Sequence, residues 1–128
     1  MRKIIVHEFI TLDGVIQAPG SPTEDTDGGF THGGWTLPYW NEEIGPPFGQ
    51  IFAEADTLLL GRKTWQTHGE AFEPNPEQDP FSGFKKYVVS NTLKSADGWR
   101  DSSLISGNVI EEIRELKSQP GKNIIMDG

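Results

Sequence analysis

The stretch TLLLGRKTWQ, residues 57–66, contains the clearest signal for the fold of this chain. Its first half, residues 57–60, is a continuous apolar run, which is typical of a strand buried on both faces of a parallel sheet. The sequence GRKT, residues 61–64, then follows where such a strand would pass into a helix. The stretch therefore predicts a strand-to-helix turn at the carboxyl edge of an α/β sheet.

Strand-like and helix-like segments alternate through the rest of the chain. Short β-branched or apolar runs predict strands at residues 3–11, 57–60, 87–90, 103–106 and 123–126. Apolar residues at helical spacing predict helices at residues 47–55, 64–71 and 109–118. This alternation indicates an α/β sheet that is at least partly parallel, and the 128 residues correspond to one domain.

A long polar segment, residues 17–34, separates the first strand from the first helix and has no hydrophobic period. A loop of this length inside a compact domain is usually functional or mobile. It is either a lid over a binding site or a plain surface loop.

Composition excludes several classes of protein. The net charge is −8, so a global field repels nucleic acid and anionic membranes, and we expect neither as a partner. There is no cysteine, which excludes a disulfide scaffold or a thiolate metal site. The three histidines, His7, His32 and His68, lack metal-ligand spacing, so we expect no metal. No apolar run approaches the ~20 residues of a membrane helix, and we expect a cytoplasmic protein.

The residues after the second predicted strand suit a phosphate group. Gly61 permits close approach of the backbone, and a helix starting there offers free N–H groups to an anion. Arg62 or Lys63 adds positive charge and Thr64 adds a hydroxyl. The segment is neither a P-loop nor a G-x-G-x-x-G fingerprint, so a plain basic turn remains the alternative.

Two further strand ends carry residues of a similar kind. Ser90, Asn91 and Thr92 follow the strand at 87–90, and Gly128 follows the strand at 123–126. Ligands of open α/β sheets bind outside the carboxyl ends of strands. The combination favours a phosphate-bearing ligand at this edge.

Four segments, taken in order, resemble the dihydrofolate reductase superfamily: TLDGVIQ (11–17), LLLGRKTW (58–65), YVVSNTL (87–93) and IIMDG (124–128). The most similar branch is the C-terminal domain of the bacterial bifunctional deaminase-reductases of riboflavin biosynthesis. The resemblance covers essentially the whole chain. It implies a three-layer α/β/α fold with a mixed, mostly parallel sheet. It also implies an NADPH-dependent reductase of a small heterocycle, similar to 5-amino-6-(5-phosphoribosylamino)uracil reductase, which forms a homodimer in the full-length protein.

The resemblance also implies roles for individual residues. Those bordering the nicotinamide would be Leu12, Asp13, Gly14, Val15 and Ile16, and Thr11 would also contact the cofactor. Those meeting the pyrophosphate or the 2′-phosphate would be Gly61, Arg62, Lys63 and Thr64. Ser90, Asn91 and Thr92 would hold the ribose phosphate on the adenosine side, and Gly128 would begin a glycine loop under the cofactor.

The segment WTLPYWNEE, residues 35–43, departs from the folate enzymes. Those enzymes carry a carboxylate two residues after the proline of a W-x-L-P segment, whereas this chain has Trp40 there. We therefore do not expect folate as substrate. Trp35, Tyr39 and Trp40 form either an aromatic wall for a flat heterocycle or ordinary core packing. The candidate proton donors are Asp13 and Glu43, the latter acting through water.

Members of the superfamily typically continue past the DG of residues 127–128 with a glycine pair, a helix and several strands. We therefore expect residues 1–128 to be a reductase-like domain that is incomplete at its C-terminus. The last predicted strand would then be left at an edge of the sheet. The alternatives to a reductase are a non-catalytic nucleotide-binding module or an inactive fragment.

Overall fold

The computed structural model describes residues 1–128 and contains five strands and three α-helices. The strands are β1 (Ile4–His7), β2 (Ala55–Gly61), β3 (Lys85–Val89), β4 (Ser102–Ile105) and β5 (Asn123–Asp127). The helices are α1 (Gly45–Ala53), α2 (Arg62–Phe72) and α3 (Val109–Ser118). All eight predicted elements are present, and α3 has the predicted bounds. None of the helices has the length and apolar character needed to cross a membrane.

The strands form one sheet in the order β1-β5-β2-β3-β4, and every neighbouring pair is parallel. The predicted α/β fold class is confirmed. The sequence predicted a mixed, mostly parallel sheet, and the five strands of residues 1–128 are parallel throughout. β1 is shorter than the predicted 3–11, because its pairing with β5 ends at His7 and Asp127.

The position of β5 differs from our expectation. β5 lies inside the sheet, between β1 and β2, and its Ile124 and Ile125 are completely buried. The expectation that this strand is left at an edge is therefore wrong. The physical reason is that the chain returns from α3 to the middle of the sheet, and strand order is a non-local property that an apolar run does not encode.

The two faces of the sheet are covered by different elements. On one face, Leu59, Ile105 and Ile124 form a buried cluster with Leu116 of α3. Side chains alternate between faces along a strand, so the neighbouring residues point to the opposite face. That side buries Leu58, Leu60, Val88, Ile125, Trp65, Phe81 and Trp99.

Arg2 joins the strands at the end of the sheet where their N-termini lie. Its guanidinium donates to the Asp56 carboxylate and to Thr57 Oγ1, the latter over 2.7 Å, and its Nε donates to the Lys122 carbonyl over 2.7 Å. The side chain is 8% exposed. One buried cation thus connects the segment before β1 to β2 and to the residue before β5.

The chain divides into two compact units. The first comprises Met1–His7 and Phe52–Gly128 and contains the sheet. The second, Glu8–Ile51, contains the long polar segment. In this second unit, the Gly34 N–H donates to the Ala18 carbonyl over 2.8 Å, and Trp35 Nε1 donates to the Gln17 carbonyl over 2.9 Å. The beginning and the end of the polar segment are therefore tied together.

Candidate functional site

The N-terminus of α2 lies at the carboxyl end of β2. Gly61 is the N-cap residue with φ −72° and ψ 163°, and no side chain caps the helix. Glycine has no side chain, so the N-cap residue itself offers no acceptor to the N–H groups of the first turn. A Cβ added at Gly61 would meet nothing within 4 Å. The fold therefore does not require glycine at this position. The same open space leaves the backbone of Gly61 accessible to a ligand. Arg62 and Lys63 are exposed beside it.

The turn after β3 meets this helix terminus. Arg62 donates from Nη1 to Oγ1 of Thr92 over 2.6 Å. Ser90 has a different role, because its Oγ accepts the backbone N–H groups of Thr92 at 3.2 Å and Leu93 at 3.1 Å. Ser90 is 9% exposed, whereas Asn91 and Thr92 are exposed. Ser90 therefore shapes the turn, and its two neighbours present their side chains to solvent.

The end of β5 completes the arrangement. Thr64 Oγ1 donates to the carbonyl oxygen of Gly128 over 3.4 Å. Gly128 has φ +79°, and a Cβ at this position would collide with the side chain of Thr64. A side chain at position 128 is thus excluded both by the backbone and by its neighbour. The structure therefore brings together three groups that the sequence predicted separately: residues 61–64, residues 90–92 and Gly128.

A cleft of about 500 Å³ is lined by α2 and by residues of the segment that follows β3. Its lining includes Arg62, Gln66, Glu70, Leu93 and Ser95. Arg62 belongs to this lining, so the cleft adjoins the predicted phosphate-binding residues. Its volume falls within the range of small-molecule sites, which is roughly 300–1,000 Å³.

The segment TLDGV, residues 11–15, forms a closed turn in the second unit. The Thr11 N–H donates to the Val15 carbonyl over 3.0 Å, and the Val15 N–H donates to Thr11 Oγ1 over 2.8 Å. Gly14 has φ +90°, a conformation that favours glycine. Leu12 and Ile16 are exposed, so the turn presents apolar side chains to its surroundings.

The two candidate proton donors also lie in the second unit. Thr11 Oγ1 donates to Asp13 Oδ1 over 2.6 Å, and this hydrogen bond lowers the pKa of the Asp13 carboxyl below its ordinary value of 3.8. Asp13 is therefore ionised at neutral pH, the opposite of what a general acid requires. Glu43 is exposed, and its backbone N–H donates to Asn41 Oδ1 over 2.9 Å.

The three predicted aromatic residues have three different environments. Trp35 uses its indole N–H to hold the Gln17 carbonyl. Trp40 packs at 6.0 Å from the ring of Phe9, measured between centroids, and is still 55% exposed. Tyr39 is 75% exposed. Trp35 therefore serves the local structure, whereas Tyr39 and Trp40 offer open ring surface.

One group of side chains at the carboxyl edge was not predicted from the sequence. Asp127 Oδ1 lies 3.9 Å from His7 Nδ1, and Asp127 Oδ2 lies 3.9 Å from His68 Nε2. His7 is the last residue of β1 and Asp127 is the last residue of β5. Residues 61–64 were predicted to bind a ligand because they follow the end of a strand, and the same reasoning could have indicated His7 and Asp127. No set of three His, Asp or Glu side chains has an arrangement that could hold a metal ion.

A comparison with solved structures shows that this fold is similar to that of a known protein. A crystal structure of a Shewanella sp. PV-4 protein named "Putative riboflavin biosynthesis protein" matches all of this chain with a TM-score of 0.68 at 24% sequence identity. This likeness shows that the two proteins share a fold, in agreement with the α/β fold that the sequence predicted.

Comparison of sequences gives one curated relative. The protein named "Uncharacterized protein YyaP" of Bacillus subtilis (strain 168) is 29% identical over 138 aligned positions, which cover 99% of this chain. No family model matches the chain. The chain spans 63% of the length of the Bacillus protein and 65% of the Shewanella chain.

Proposed function

We propose that this protein is an NADPH-dependent reductase that transfers hydride to a small heterocycle. The reaction would resemble that of 5-amino-6-(5-phosphoribosylamino)uracil reductase of riboflavin biosynthesis. The observation that carries the proposal is the convergence of residues 61–64, residues 90–92 and Gly128 at one edge of the sheet. The fold shared with the Shewanella riboflavin biosynthesis protein supports the same reading.

The residues at this edge fit a dinucleotide with a 2′-phosphate. An uncapped helix terminus attracts an anion through its N–H groups and its dipole, and Thr64 adds a hydroxyl. Arg62 supplies a guanidinium already oriented by Thr92, and guanidinium groups bind phosphates through paired hydrogen bonds. In a chain of net charge −8, such a local site would allow an anionic cofactor to bind.

Each group has a proposed task. The first turn of α2 and Thr64 would hold the pyrophosphate, and Arg62 with Asn91 would hold the 2′-phosphate. NADPH, when bound, supplies the hydride. The ring of the substrate would stack on Tyr39 and Trp40, the two aromatic residues with open surface. Glu43 remains the candidate for passing a proton to the substrate through water.

A non-catalytic nucleotide-binding module is the second candidate. It is favoured by the environment of Asp13, whose lowered pKa makes this carboxyl a poorer proton donor. Binding and catalysis must therefore be tested separately.

The test has two stages. The chain is first titrated with NADPH and with NADH, and binding is followed by the fluorescence of the reduced nicotinamide. 5-Amino-6-(5-phosphoribosylamino)uracil is then added, and oxidation of the cofactor is followed by absorbance. We expect saturable NADPH binding and oxidation that depends on the pyrimidine. Binding without oxidation would favour the module, and no binding of either cofactor would contradict both candidates.

A further inference from the structure

The carboxylate of Asp127 lies between two imidazoles, beside the proposed phosphate site. Asp127 of β5 is 3.9 Å from both His7 of β1 and His68 of α2. The three side chains are only 25%, 13% and 23% exposed, respectively. We call these three residues the His–Asp–His cluster. Because the cluster is partly withdrawn from water, its net charge is screened less than that of an exposed group.

The chain connects this cluster directly to the site. Asp127 precedes Gly128, whose carbonyl oxygen accepts from Thr64. His68 follows Thr64 by four residues on α2, so both side chains lie on the same face of the helix. Any charge on the cluster therefore acts on an anion bound at the start of α2 from about one helical turn away.

Aromatic rings pack against both imidazoles. The ring of Phe52, from α1, is 6.1 Å from the ring of His7 between centroids. Phe81 stacks on His68 at 5.6 Å with an interplanar angle of 24°. Apolar neighbours of this kind strengthen the interaction between a charge on the cluster and a nearby phosphate.

Two more ionisable groups lie behind this aromatic layer. Trp99 is 5.8 Å from the His68 ring, and it contacts both of these groups. Lys86 Nζ lies 4.6 Å from the Trp99 ring centroid, and Asp79 accepts from Trp99 Nε1 over 2.9 Å. Lys86 and Asp79 have opposite charges, so their effects on the cluster partly cancel.

We infer that binding of an anionic dinucleotide at residues 61–64 is coupled to uptake of a proton by the His–Asp–His cluster. With both imidazoles neutral, the cluster has the single negative charge of Asp127, which repels a phosphate. One proton added to either imidazole of the cluster cancels that charge. Because coupling between two ligands is reciprocal, the phosphate then also favours the proton.

This inference rests on the proposed function. Calorimetry tests the two separately, because it measures cofactor binding and proton uptake in the same experiment. NADPH is titrated into the protein near pH 7 in two buffers that differ in their enthalpy of ionisation. The difference in heat gives the number of protons taken up per cofactor bound. The 2′-phosphate itself titrates near pH 6, so the relevant quantity is the difference between wild type and a variant.

We expect the double variant His7→Gln/His68→Gln to take up fewer protons than the wild type. His32→Gln is the matched control, because His32 is the remaining histidine and lies in the second unit. It should keep the wild-type value. Equal proton uptake by the wild type and the double variant would overturn the inference while leaving the proposed function intact. Failure of the wild type to bind NADPH would overturn both.

Asp127→Asn provides a second test that does not depend on the histidine variants folding. Removing the carboxylate charge should strengthen NADPH binding at about pH 8 by about 3- to 10-fold, since a unit charge about one helical turn away in a largely aqueous medium has an effect of this order. It should also reduce proton uptake. Circular dichroism checks that the variant is folded. Weaker binding by a folded Asp127→Asn protein at this pH would overturn the inference.

Discussion

Arg62 donates a hydrogen bond to Thr92, 30 residues further along the chain, and so joins the start of α2 to the turn after β3. Both residues belong to segments that the sequence predicted to bind phosphate for separate reasons. Because Arg62 contacts Thr92, a ligand oxygen bound near the guanidinium would also lie near the exposed turn after β3. The two predicted segments therefore belong to a single candidate site. The first prediction follows from this contact.

We expect Arg62→Ala to weaken NADPH binding by about 10- to 150-fold, because a hydrogen bond to a charged group is worth ~1.5–3 kcal/mol. NADH should lose less, since it lacks the 2′-phosphate. Fluorescence titration measures both affinities. Arg114→Ala, which removes an exposed guanidinium paired with Glu111 on α3, should change neither. Equal loss for both cofactors would assign Arg62 to the pyrophosphate, and no loss would mean that residues 61–64 are a plain turn.

Because of Lys86, the free energy of unfolding should increase with pH in the alkaline range. Lys86 is completely buried, and its Nζ has no hydrogen-bond partner. Burial lowers the pKa of Lys86 below its ordinary value of 10.5, although the Asp79 carboxylate opposes the shift. Between the folded and unfolded pKa values the unfolded chain binds more protons, so the free energy of unfolding increases as pH rises toward 10.5.

Lys86→Met should remove this increase, because the group that changes its charge between pH 7 and 10.5 is then absent. Urea denaturation at about pH 7 and about pH 10 measures the change. Lys85→Met, at the exposed neighbouring position of β3, should keep the wild-type dependence. Strong destabilisation by Lys86→Met with an unchanged pH dependence would show that the buried charge is well compensated.

Gly69 should not tolerate alanine. A Cβ at this position of α2 would lie 2.8 Å from the carbonyl oxygen of Gly98 and 3.2 Å from Trp99 Cβ. We expect Gly69→Ala to lower the free energy of unfolding by about 1–3 kcal/mol through overpacking. Gly49→Ala in α1 is the control, because a Cβ there meets nothing within 4 Å. It should stabilise by about 0.5–1 kcal/mol through helix propensity. A stabilised Gly69→Ala protein would mean that α2 moves easily away from Gly98.

The protein should not reduce dihydrofolate efficiently. Trp40 stands where the folate enzymes carry their carboxylate, and its ring packs with Phe9 and Phe48. A steady-state assay with dihydrofolate and NADPH checks this directly. Turnover in the ordinary enzyme range of about 1–1,000 per second would contradict the prediction.

The kinds of elements in this fold were predictable because their signals are local. The apolar run at residues 57–60 indicates a buried strand, and the spacing of apolar residues in α3 indicates an amphipathic helix. The GRKT segment was also predictably located at the end of a strand, because it directly follows this apolar run. The end of β1 was less predictable, since it depends on where β5 stops pairing.

The sequence by itself therefore determined the strands, the helices and the residues that suit a phosphate, because each depends on neighbouring positions in the chain. Only the tertiary structure decided that β5 lies between β1 and β2 and that Asp127 lies between His7 and His68. It also decided that Lys86, a residue that is usually exposed, is buried against Trp99. These relationships join residues far apart in sequence, and they are fixed by the order of the strands and the packing of α2, which no local pattern encodes.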